Sequence, residues 1–270
     1  MLETHDPNKI TCICSDDRGN EVKVEEDIST KHHAIELKRL TPETTCEYSI
    51  FREDSMLHTS HFHTMPEGDY RVVLVGDMHS PIEGFSSLVT VIEESDPDFI
   101  VLLGDMVCTG DDRQQWIHFF NAGRNLFDHI PIFPVRGDHD VGEYENADFY
   151  GKYFCDCSSE SREQYYYSRV ISDDLYIFLD SETNSLRSAT WLLGTLFQAK
   201  RLDYGSIFIV SHKGVVSFKG DRAGNTVLKF LLPFCDYFGI TAFFSGHDHH
   251  YIRGVTLFNT PFFISGGGGG

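Results

Sequence analysis

The chain has 270 residues and a formal net charge of −19, from 22 lysines and arginines against 41 aspartates and glutamates. Hydrophobic residues make up 41% of the sequence, enough for a substantial core. No apolar run reaches the roughly 18–20 residues of a membrane-spanning helix. The negative field disfavours nucleic acid and anionic membranes as partners, but not a phosphorylated substrate, because bound dications reverse the local potential.

The N-terminus and the cysteines both favour a cytoplasmic location. Residues 1–6 are polar and acidic and lack the basic and apolar segments of a signal peptide. The seven cysteines are an odd number, and their Cys-x-Cys pairs do not have the spacing of a zinc knuckle or a thioredoxin-like site. We therefore expect reduced thiols in a reducing compartment. The sequence leaves the oligomeric state open.

Residues 1–68 have the pattern of a small β module. Residues 40–48 resemble the Leu-x-Pro-x-Thr-x-Tyr region of fibronectin type III-like modules, with Cys46 at the usual tyrosine position and Tyr48 beside it. Proline and glycine within residues 66–68 mark the expected hinge to the next domain. Short alternating stretches separated by polar turns predict strands at residues 9–14, 21–24, 33–37 and 48–51.

Residues 69–270 show apolar runs that alternate with amphipathic segments. This strand–loop–helix repetition is typical of α/β domains, in which ligands bind beyond the carboxyl ends of the strands. The amphipathic segments predict helices at residues 85–94, 114–127 and 189–201. The apolar runs predict strands that are buried on both faces, at residues 72–75, 99–103, 130–135, 175–180, 206–210 and 240–244.

Side chains that can bind divalent cations follow several of these apolar runs. No segment is strong evidence of metal binding by itself, because Asp-x-His is usually a surface loop and Gly-Asp after a strand is a common turn. As an ordered set at strand ends, they predict a two-metal site. The segments are Gly76-Asp77-Met78-His79, Gly104-Asp105, Gly137-Asp138-His139-Asp140, Ser211-His212 and Gly246-His247-Asp248-His249.

The residue types indicate the chemistry of this site. Nitrogen and oxygen ligands without thiolate favour Mn, Fe, Zn, Co or Ni. Two such ions about 3.5–4 Å apart activate water at neutral pH and neutralise the phosphoryl oxygens of a phosphate ester. We expect Asp140, Asp248 and His250 to support the ligands or face solvent. Lys213 and Arg222 are candidate readers of substrate charge, although an ordinary solvated position is the simpler interpretation for both.

The ordered set of segments resembles the calcineurin-like metallophosphoesterase superfamily over residues 69–270. The preceding β module makes the chain most similar to the purple acid phosphatase-like branch. The resemblance implies a four-layer αββα sandwich preceded by a small all-β, fibronectin III-like module, with the two domains at residues 1–68 and 69–270.

The resemblance also implies a dinuclear metal site with a role for each residue. Asp77, His79 and His249 would bind the first metal, and His212, His247 and Asp138 the second. Asp105 would bridge the two ions, and His139 would act as the general acid or contact the phosphoryl group. The implied reaction is in-line attack of a metal-bridged hydroxide on a small phosphate ester. A phosphomonoester is favoured over a small phosphodiester or cyclic nucleotide.

Two positions depart from the family pattern. The family nearly always has asparagine where this chain has Asp138, and an ionised aspartate cannot donate a hydrogen bond to phosphate. Cys108 takes the place of the tyrosine that colours purple enzymes, which predicts a colourless protein. Many relatives have an aspartate there that orients the catalytic histidine, and Asp111 or Asp112 are candidate substitutes.

Two other functions compete with this interpretation. The first is a non-catalytic scaffold that keeps the fold but has lost turnover through Asp138. The enzyme is favoured because every other expected ligand is present. The second is a nuclease of the same superfamily, which the charge of −19 and the absence of a basic stripe disfavour.

Overall fold

A computed structural model of the chain describes residues 2–79, 82–142, 148–155, 165–183, 185–218 and 224–269. In these ranges the strands are β1 Leu2–Asn8, β2 Thr11–Asp16, β3 Glu21–Glu25, β4 Thr30–His33, β5 Thr45–Arg52, β6 Ser55–His63, β7 Val72–Val75, β8 Phe99–Leu102, β9 Ile132–Pro134, β10 Tyr167–Ile171, β11 Asp174–Leu179, β12 Ile207–Ser211, β13 Ala242–Ser245, β14 Tyr251–Val255 and β15 Pro261–Ser265. The helices are α1 Ile82–Glu94, α2 Arg113–Ala122, α3 Arg124–Phe127, α4 Phe149–Phe154, α5 Leu186–Leu202, α6 Thr226–Leu231 and α7 Cys235–Phe238, with a 3₁₀ turn at Leu232–Phe234. Of the helices within the described ranges, none is long and apolar enough to span a membrane.

The N-terminal strands form two antiparallel sheets. One has the order β3-β2-β5-β6, and the other pairs β1 with β4. In β2 the buried Cys12 and Cys14 alternate with half-exposed neighbours, because successive side chains of a strand point to opposite faces. These thiols and the fully buried Cys46 belong to the core of the module. The predicted all-β module is confirmed.

Two further sheets form the centre of the following region. The first is parallel, with the order β7-β8-β9. The second has the order β10-β11-β12-β13-β15-β14 and is parallel from β11 to β15, with antiparallel strands at both edges. Parallel strands end at the same edge of a sheet. The loops after β7, β8 and β9 therefore lie together, as do those after β12 and β13.

Three apolar layers hold these sheets and their helices together. Val101 and Val135 of the first sheet pack against Phe178 and Val210 of the second. The outer face of the first sheet is covered by α1 and α2, through buried residues such as Phe85 and Trp116. The outer face of the second sheet is covered by α5, α6 and α7. The four-layer αββα sandwich predicted from the sequence is confirmed.

The ends of most elements in this region differ from the predicted ends by three residues or fewer. The helix predicted at residues 114–127 is broken at Gly123, where a Cβ atom would lie 2.3 Å from the ring of Phe127. The strand predicted at residues 33–37 is wrong, because sheet pairing ends at His33. Residues 34–37 keep alternating exposure but have no ladder partner among the described residues. Alternation alone therefore does not identify a paired strand.

Polar contacts join the β module to the rest of the chain. The Tyr48 hydroxyl donates to the Asp128 carbonyl oxygen at 3.1 Å. Glu3 pairs with Arg113 at 3.0 Å and accepts a hydrogen bond from the Tyr153 hydroxyl at 3.1 Å. The predicted hinge falls in the segment between β6 and β7. The division into two domains at residue 68 stays a prediction.

Candidate metal centre

The predicted ligands follow the carboxyl ends of five strands. Asp77 comes two residues after β7, and Asp105 comes three residues after β8. Asp138 follows β9, His212 follows β12 directly, and His247 follows β13. The parallel sheets place all of these loops at one edge of the sandwich. Residues that are far apart in the sequence therefore meet, as in the hydrogen bond between the His247 amide and Asp77, which are 170 positions apart.

The structure brings all seven predicted ligands into two groups that share Asp105. Within each group, one ligand atom per residue lies within 4.8 Å of every other. A carboxylate common to two groups is in the position that a bridging ligand requires. The first group is Asp77, His79, Asp105 and His249. The second group is Asp105, Asp138, His212 and His247.

Buried polar atoms in the first group fit a cation. Asp77 Oδ1, His79 Nε2 and Asp105 Oδ2 are buried but make no hydrogen bond of acceptable geometry. A buried polar atom without a hydrogen bond is costly, so native structures seldom leave several together without a ligand. Carboxylate oxygen and imidazole nitrogen are also donors that divalent transition metals accept. The residues present therefore fit a bound metal ion.

Glycines allow the ligand loops to approach each other closely. A Cβ atom at Gly137 would lie 2.1 Å from Asp105 Oδ1, and one at Gly246 would lie 2.6 Å from Asp77 Oδ2. Gly104 has φ +88° and a Cβ there would lie 2.6 Å from His212 Nδ1. The Gly-Asp and Gly-His pairs of the sequence thus have a steric origin, because only glycine leaves room for the neighbouring ligand.

The backbone of the site is strained at residues other than glycine. Asp77, Asp105 and His247 have positive φ values of 60°, 55° and 70°. This left-handed region costs energy for residues with a Cβ atom, and such strain persists only where the surrounding structure imposes it. Its occurrence at three predicted ligands indicates that the fold is organised around their side-chain positions.

The electrostatics of the site reflect three carboxylates in a confined space. Burial raises the pKa of Asp77 to about 7, and the charge of Asp105 adds to this rise. Burial alone would lower the pKa of His212, but its contact with Asp105 outweighs burial and raises that pKa well above the usual value. For Asp138, burial is outweighed by hydrogen bonds from the two histidines of its group, which hold the pKa well below the usual range. The groups concentrate negative charge that bound cations would neutralise.

Backbone groups fix the orientation of several ligands. His212 Nδ1 lies 2.7 Å from the Leu103 carbonyl oxygen, which leaves Nε2 to face the second group. Asp105 Oδ1 accepts the His139 amide at 2.9 Å. Histidine ligands in metal sites typically use the second ring nitrogen in this way, which sets the tautomer and the ring position.

Asp140 supports the loops that carry the ligands. Its carboxylate is buried and accepts the amides of Asp105 and Met106 at 2.8 Å, Gly137 at 2.9 Å and Val107 at 3.3 Å. Burial raises its pKa to about 7, with a further contribution from the charge of Asp105. The side chain fastens the loop after β8 to the loop after β9, which agrees with the supporting role expected from the sequence.

His139 lies at the mouth of the first group. Its ring stacks on that of His79 with the ring centres 4.6 Å apart. Its Nδ1 atom lies 2.9 Å from the carbonyl oxygen of Cys108. The Cys108 backbone thus takes the orienting role for which Asp111 and Asp112 were candidates. Asp112 instead accepts the Gln114 amide at 2.9 Å and caps α2.

The structure also bears on the predictions for Asp248, for Lys213 and Arg222, and for the cysteines. The buried Asp248 accepts the Ser217 hydroxyl at 2.9 Å and the Phe218 amide at 2.6 Å, so it supports a loop beside the site. Lys213 contacts the second group, whereas Arg222 lies outside the described residues. Cysteines 12, 14, 46, 108, 155 and 235 are in no disulfide.

Sequence reasoning missed a polar network behind Asp138. The buried Arg136 pairs with Asp180 at 2.7 Å, and the ring of Tyr165 lies 3.8 Å from its guanidinium carbon. Glu182 donates its amide to Asp180 at 3.1 Å and pairs with Lys213. The sequence offered one signal for this network, which is that Arg136 directly precedes Gly137 of the predicted metal-binding segment. The acidic residues Asp180 and Glu182 belong to no motif.

Comparison with protein families gives one match that covers most of the chain. A sequence model of the calcineurin-like phosphoesterase family matches residues 70–251. Two curated proteins of Mycobacterium tuberculosis, from strains CDC 1551 / Oshkosh and ATCC 25618 / H37Rv, are each 25% identical to the chain over 268 residues. Both are named only as uncharacterized proteins, and each match covers 82% of this chain. The chain spans about half, 50%, of the length of these relatives.

Comparison with solved structures shows the fold. The purple acid phosphatase PPD1 from yellow lupin (Lupinus luteus) seeds superposes with a TM-score of 0.76 at 16% identity, over 97% of this chain and 60% of that chain. A structure of PhoD superposes with a TM-score of 0.70 at 10% identity, over 97% of this chain and 70% of that chain. Both superpositions include the N-terminal β module, because they cover nearly the whole chain. At these identities they support the architecture alone.

Proposed function

Because the chain belongs to the calcineurin-like phosphoesterase family, we propose that it hydrolyses a small phosphate ester at a dinuclear metal site. The single observation that carries the proposal is the pair of four-residue groups that share Asp105. Two groups with one common carboxylate match the ligand arrangement of two neighbouring ions. The proposed ligands are Asp77, His79 and His249 for the first ion, Asp138, His212 and His247 for the second, and Asp105 for both.

The proposed roles of the metal ions and of His139 follow from the positions of the side chains. Bound ions would supply a nucleophile at neutral pH and positive charge against the phosphoryl oxygens. His139 is the proposed general acid, because it lies at the mouth of the first group and is held through Nδ1 by the Cys108 carbonyl. That hydrogen bond leaves Nε2 as the ring nitrogen for the substrate. The His139 amide donates to Asp105 and the nearby Gly137 amide donates to Asp140, and these two hydrogen bonds hold the backbone around His139 close to the ligands.

The finer features of the proposal concern substrate, metal and location. We favour a phosphomonoester over a small phosphodiester, since the β module and sandwich together have the architecture of a purple acid phosphatase. The nitrogen and oxygen ligand set supports Mn, Fe, Zn, Co or Ni. The thiols that form no disulfide among the described residues support a reducing, cytoplasmic compartment.

The test is hydrolysis of p-nitrophenyl phosphate and bis-p-nitrophenyl phosphate with added Mn²⁺, with bound metal counted by mass spectrometry. We expect turnover that favours the monoester and is lost in His139→Ala without loss of metal. His118→Ala is the matched control, because His118 is an exposed histidine on α2 and its removal should leave turnover unchanged. No turnover of either substrate by protein that holds two ions would reject the enzyme and favour a scaffold disabled by Asp138.

A further inference from the structure

Lys213 reaches from the end of β12 to the second ligand group. Its Nζ atom lies 3.8 Å from Asp138 Oδ1 and 2.5 Å from Glu182 Oε2. The Lys213 side chain is 24% exposed and that of Glu182 is 10% exposed. Lys213 is therefore not a solvated surface lysine, because its charged end is held at the edge of the site.

A second set of contacts fixes the position of Lys213. The Lys213 amide donates to the Ser181 hydroxyl oxygen at 3.1 Å, and that hydroxyl donates to Glu182 Oε1 at 2.8 Å. The Glu182 carboxylate thus receives one hydrogen bond from Ser181 and one from the Lys213 ammonium. Backbone and side chain of Lys213 are both tied to the loop after β11, so the ammonium has little freedom to leave.

The negative charge of Asp138 opposes the approach of an anionic substrate, and Lys213 lies close enough to offset that charge. A carboxylate accepts hydrogen bonds but donates none, and Asp138 Oδ1 already lies 3.0 Å from His212 Nε2 and 3.1 Å from His247 Nδ1. An anionic substrate that approaches this group meets the Asp138 charge at the mouth, where the side chain is 37% exposed. In the part of the chain that the structure describes, Lys213 is the one lysine or arginine in ion-pair contact with a carboxylate of either group.

The number of N–H donors on the Lys213 ammonium determines whether one is available to a substrate. An ammonium carries three N–H donors. One is directed to Glu182, whereas Asp138 is in ion-pair contact but beyond hydrogen-bond distance. We infer that a further donor of Lys213 binds an oxygen of the substrate's phosphoryl group and that its charge offsets Asp138. This inference rests on the proposed function, and it makes Lys213 a residue that determines substrate specificity.

The inference names a substrate class. A terminal phosphate carries two negative charges near neutral pH, whereas a diester carries one. A fixed ammonium beside Asp138 stabilises the second charge, so Lys213 favours terminal phosphate groups over diesters. Loss of Lys213 should therefore weaken the binding of orthophosphate and raise the KM for p-nitrophenyl phosphate more than the KM for its diester.

The experiment measures orthophosphate binding to the metal-loaded protein by calorimetry, together with metal content, kcat and KM. For Lys213→Met we expect a Kd for orthophosphate at least tenfold higher, with two ions retained. Lys213→Arg should recover part of the affinity. Lys23→Met is the matched control, because it removes the same charge from an exposed strand of the β module and should change nothing.

A second pair of variants separates phosphate binding from simple neutralisation of Glu182. Lys213→Met leaves the Glu182 charge without its partner, and the double variant Lys213→Met/Glu182→Gln removes that charge. If the double variant binds orthophosphate as tightly as the unaltered protein, Lys213 serves only Glu182 and the inference is overturned. It is also overturned if both variants lose metal, since Lys213 would then support the ligands rather than the substrate.

The outcomes also separate this inference from the proposed function. Turnover by the unaltered protein together with an unchanged orthophosphate Kd in Lys213→Met rejects the role of Lys213 and leaves the phosphoesterase proposal intact. Absence of both turnover and orthophosphate binding in unaltered protein that holds two ions rejects the two together.

Discussion

At the scale of single residues, the site depends on glycines as much as on ligands. Gly137 has no room for a side chain, because its Cβ atom would lie 2.1 Å from Asp105 Oδ1. We expect Gly137→Ala to displace the shared carboxylate, to reduce the bound metal below two ions and to lower turnover by about 100-fold, as a misplacement near 1 Å does in other enzymes. Metal content and kcat/KM are the measurements.

Gly194 provides the matched control. It lies in α5, and a Cβ atom added there would meet nothing within 4 Å. Gly194→Ala should therefore leave metal content unchanged and stabilise the protein by about 0.5–1 kcal/mol. Two bound ions in Gly137→Ala would show that the loops after β8 and β9 separate easily, contrary to the close approach of Gly137 and Asp105.

The sequence predicted the residues of the two groups because each follows an apolar strand and carries a ligand type that metals accept. It did not predict Glu182 or Ser181, which belong to no motif and are linked to the second ligand group through Lys213. Nor did it predict the positive φ values at Asp77 and Asp105. Such features arise from the packing of distant loops, which no local pattern encodes.

At the scale of elements, α2 begins where the ligand loop after β8 ends. Asp112 caps this helix by accepting the Gln114 amide at 2.9 Å. We expect Asp112→Ala to lower the free energy of unfolding by about 1 kcal/mol, and Asp112→Asn to retain the cap. Urea denaturation checks this. Turnover should stay unchanged, because the Cys108 carbonyl contacts His139; a loss of kcat in the alanine variant would restore Asp112 as an orienting residue.

Periodicity predicted six of the nine described strands of the sandwich, those whose apolar runs are continuous, as in β8 and β11. It did not predict β10, β14 or β15, and β10 and β14 are largely exposed or half-exposed. It was less reliable in the β module, where residues 33–37 alternate in exposure but only His33 is paired. Strands β1 and β6 were not among the predicted strands. Their sequences are polar, and β6 alternates between exposed and half-exposed residues. Such strands are defined by their partners rather than by their own composition.

At the scale of the whole molecule, the predicted division at residue 68 can be tested by limited proteolysis. Glu67 to Asp69 are exposed and lie between β6 and β7. Exposed connecting segments are the preferred sites of cleavage. We expect a glutamate-specific protease to cut first after Glu67, with Glu67→Gln resistant, and mass spectrometry to identify the two fragments that end and begin at this bond. Earlier cuts within the β module would contradict the division.

The two fragments should remain associated after that cut. Glu3 contacts Arg113 and Tyr153, and Tyr48 contacts Asp128, so the module is joined to the sandwich at several points. Co-elution on gel filtration is the expected result. Separation of the fragments would show that these polar contacts contribute little in water, as exposed ion pairs often do.

Metal removal tests the molecule as a whole, because the ligands come from loops of both sheets. A ligand that binds only the folded chain stabilises it by about 2.7 kcal/mol at a concentration 100 times its Kd. Chelation should therefore lower the thermal midpoint, and added Mn²⁺ should raise it in a concentration-dependent manner. His249→Ala should lose part of this shift and His118→Ala none of it. A thermal midpoint that does not change with metal concentration would mean that bound ions do not stabilise the folded chain. The buried carboxylates would then be neutralised by protons instead.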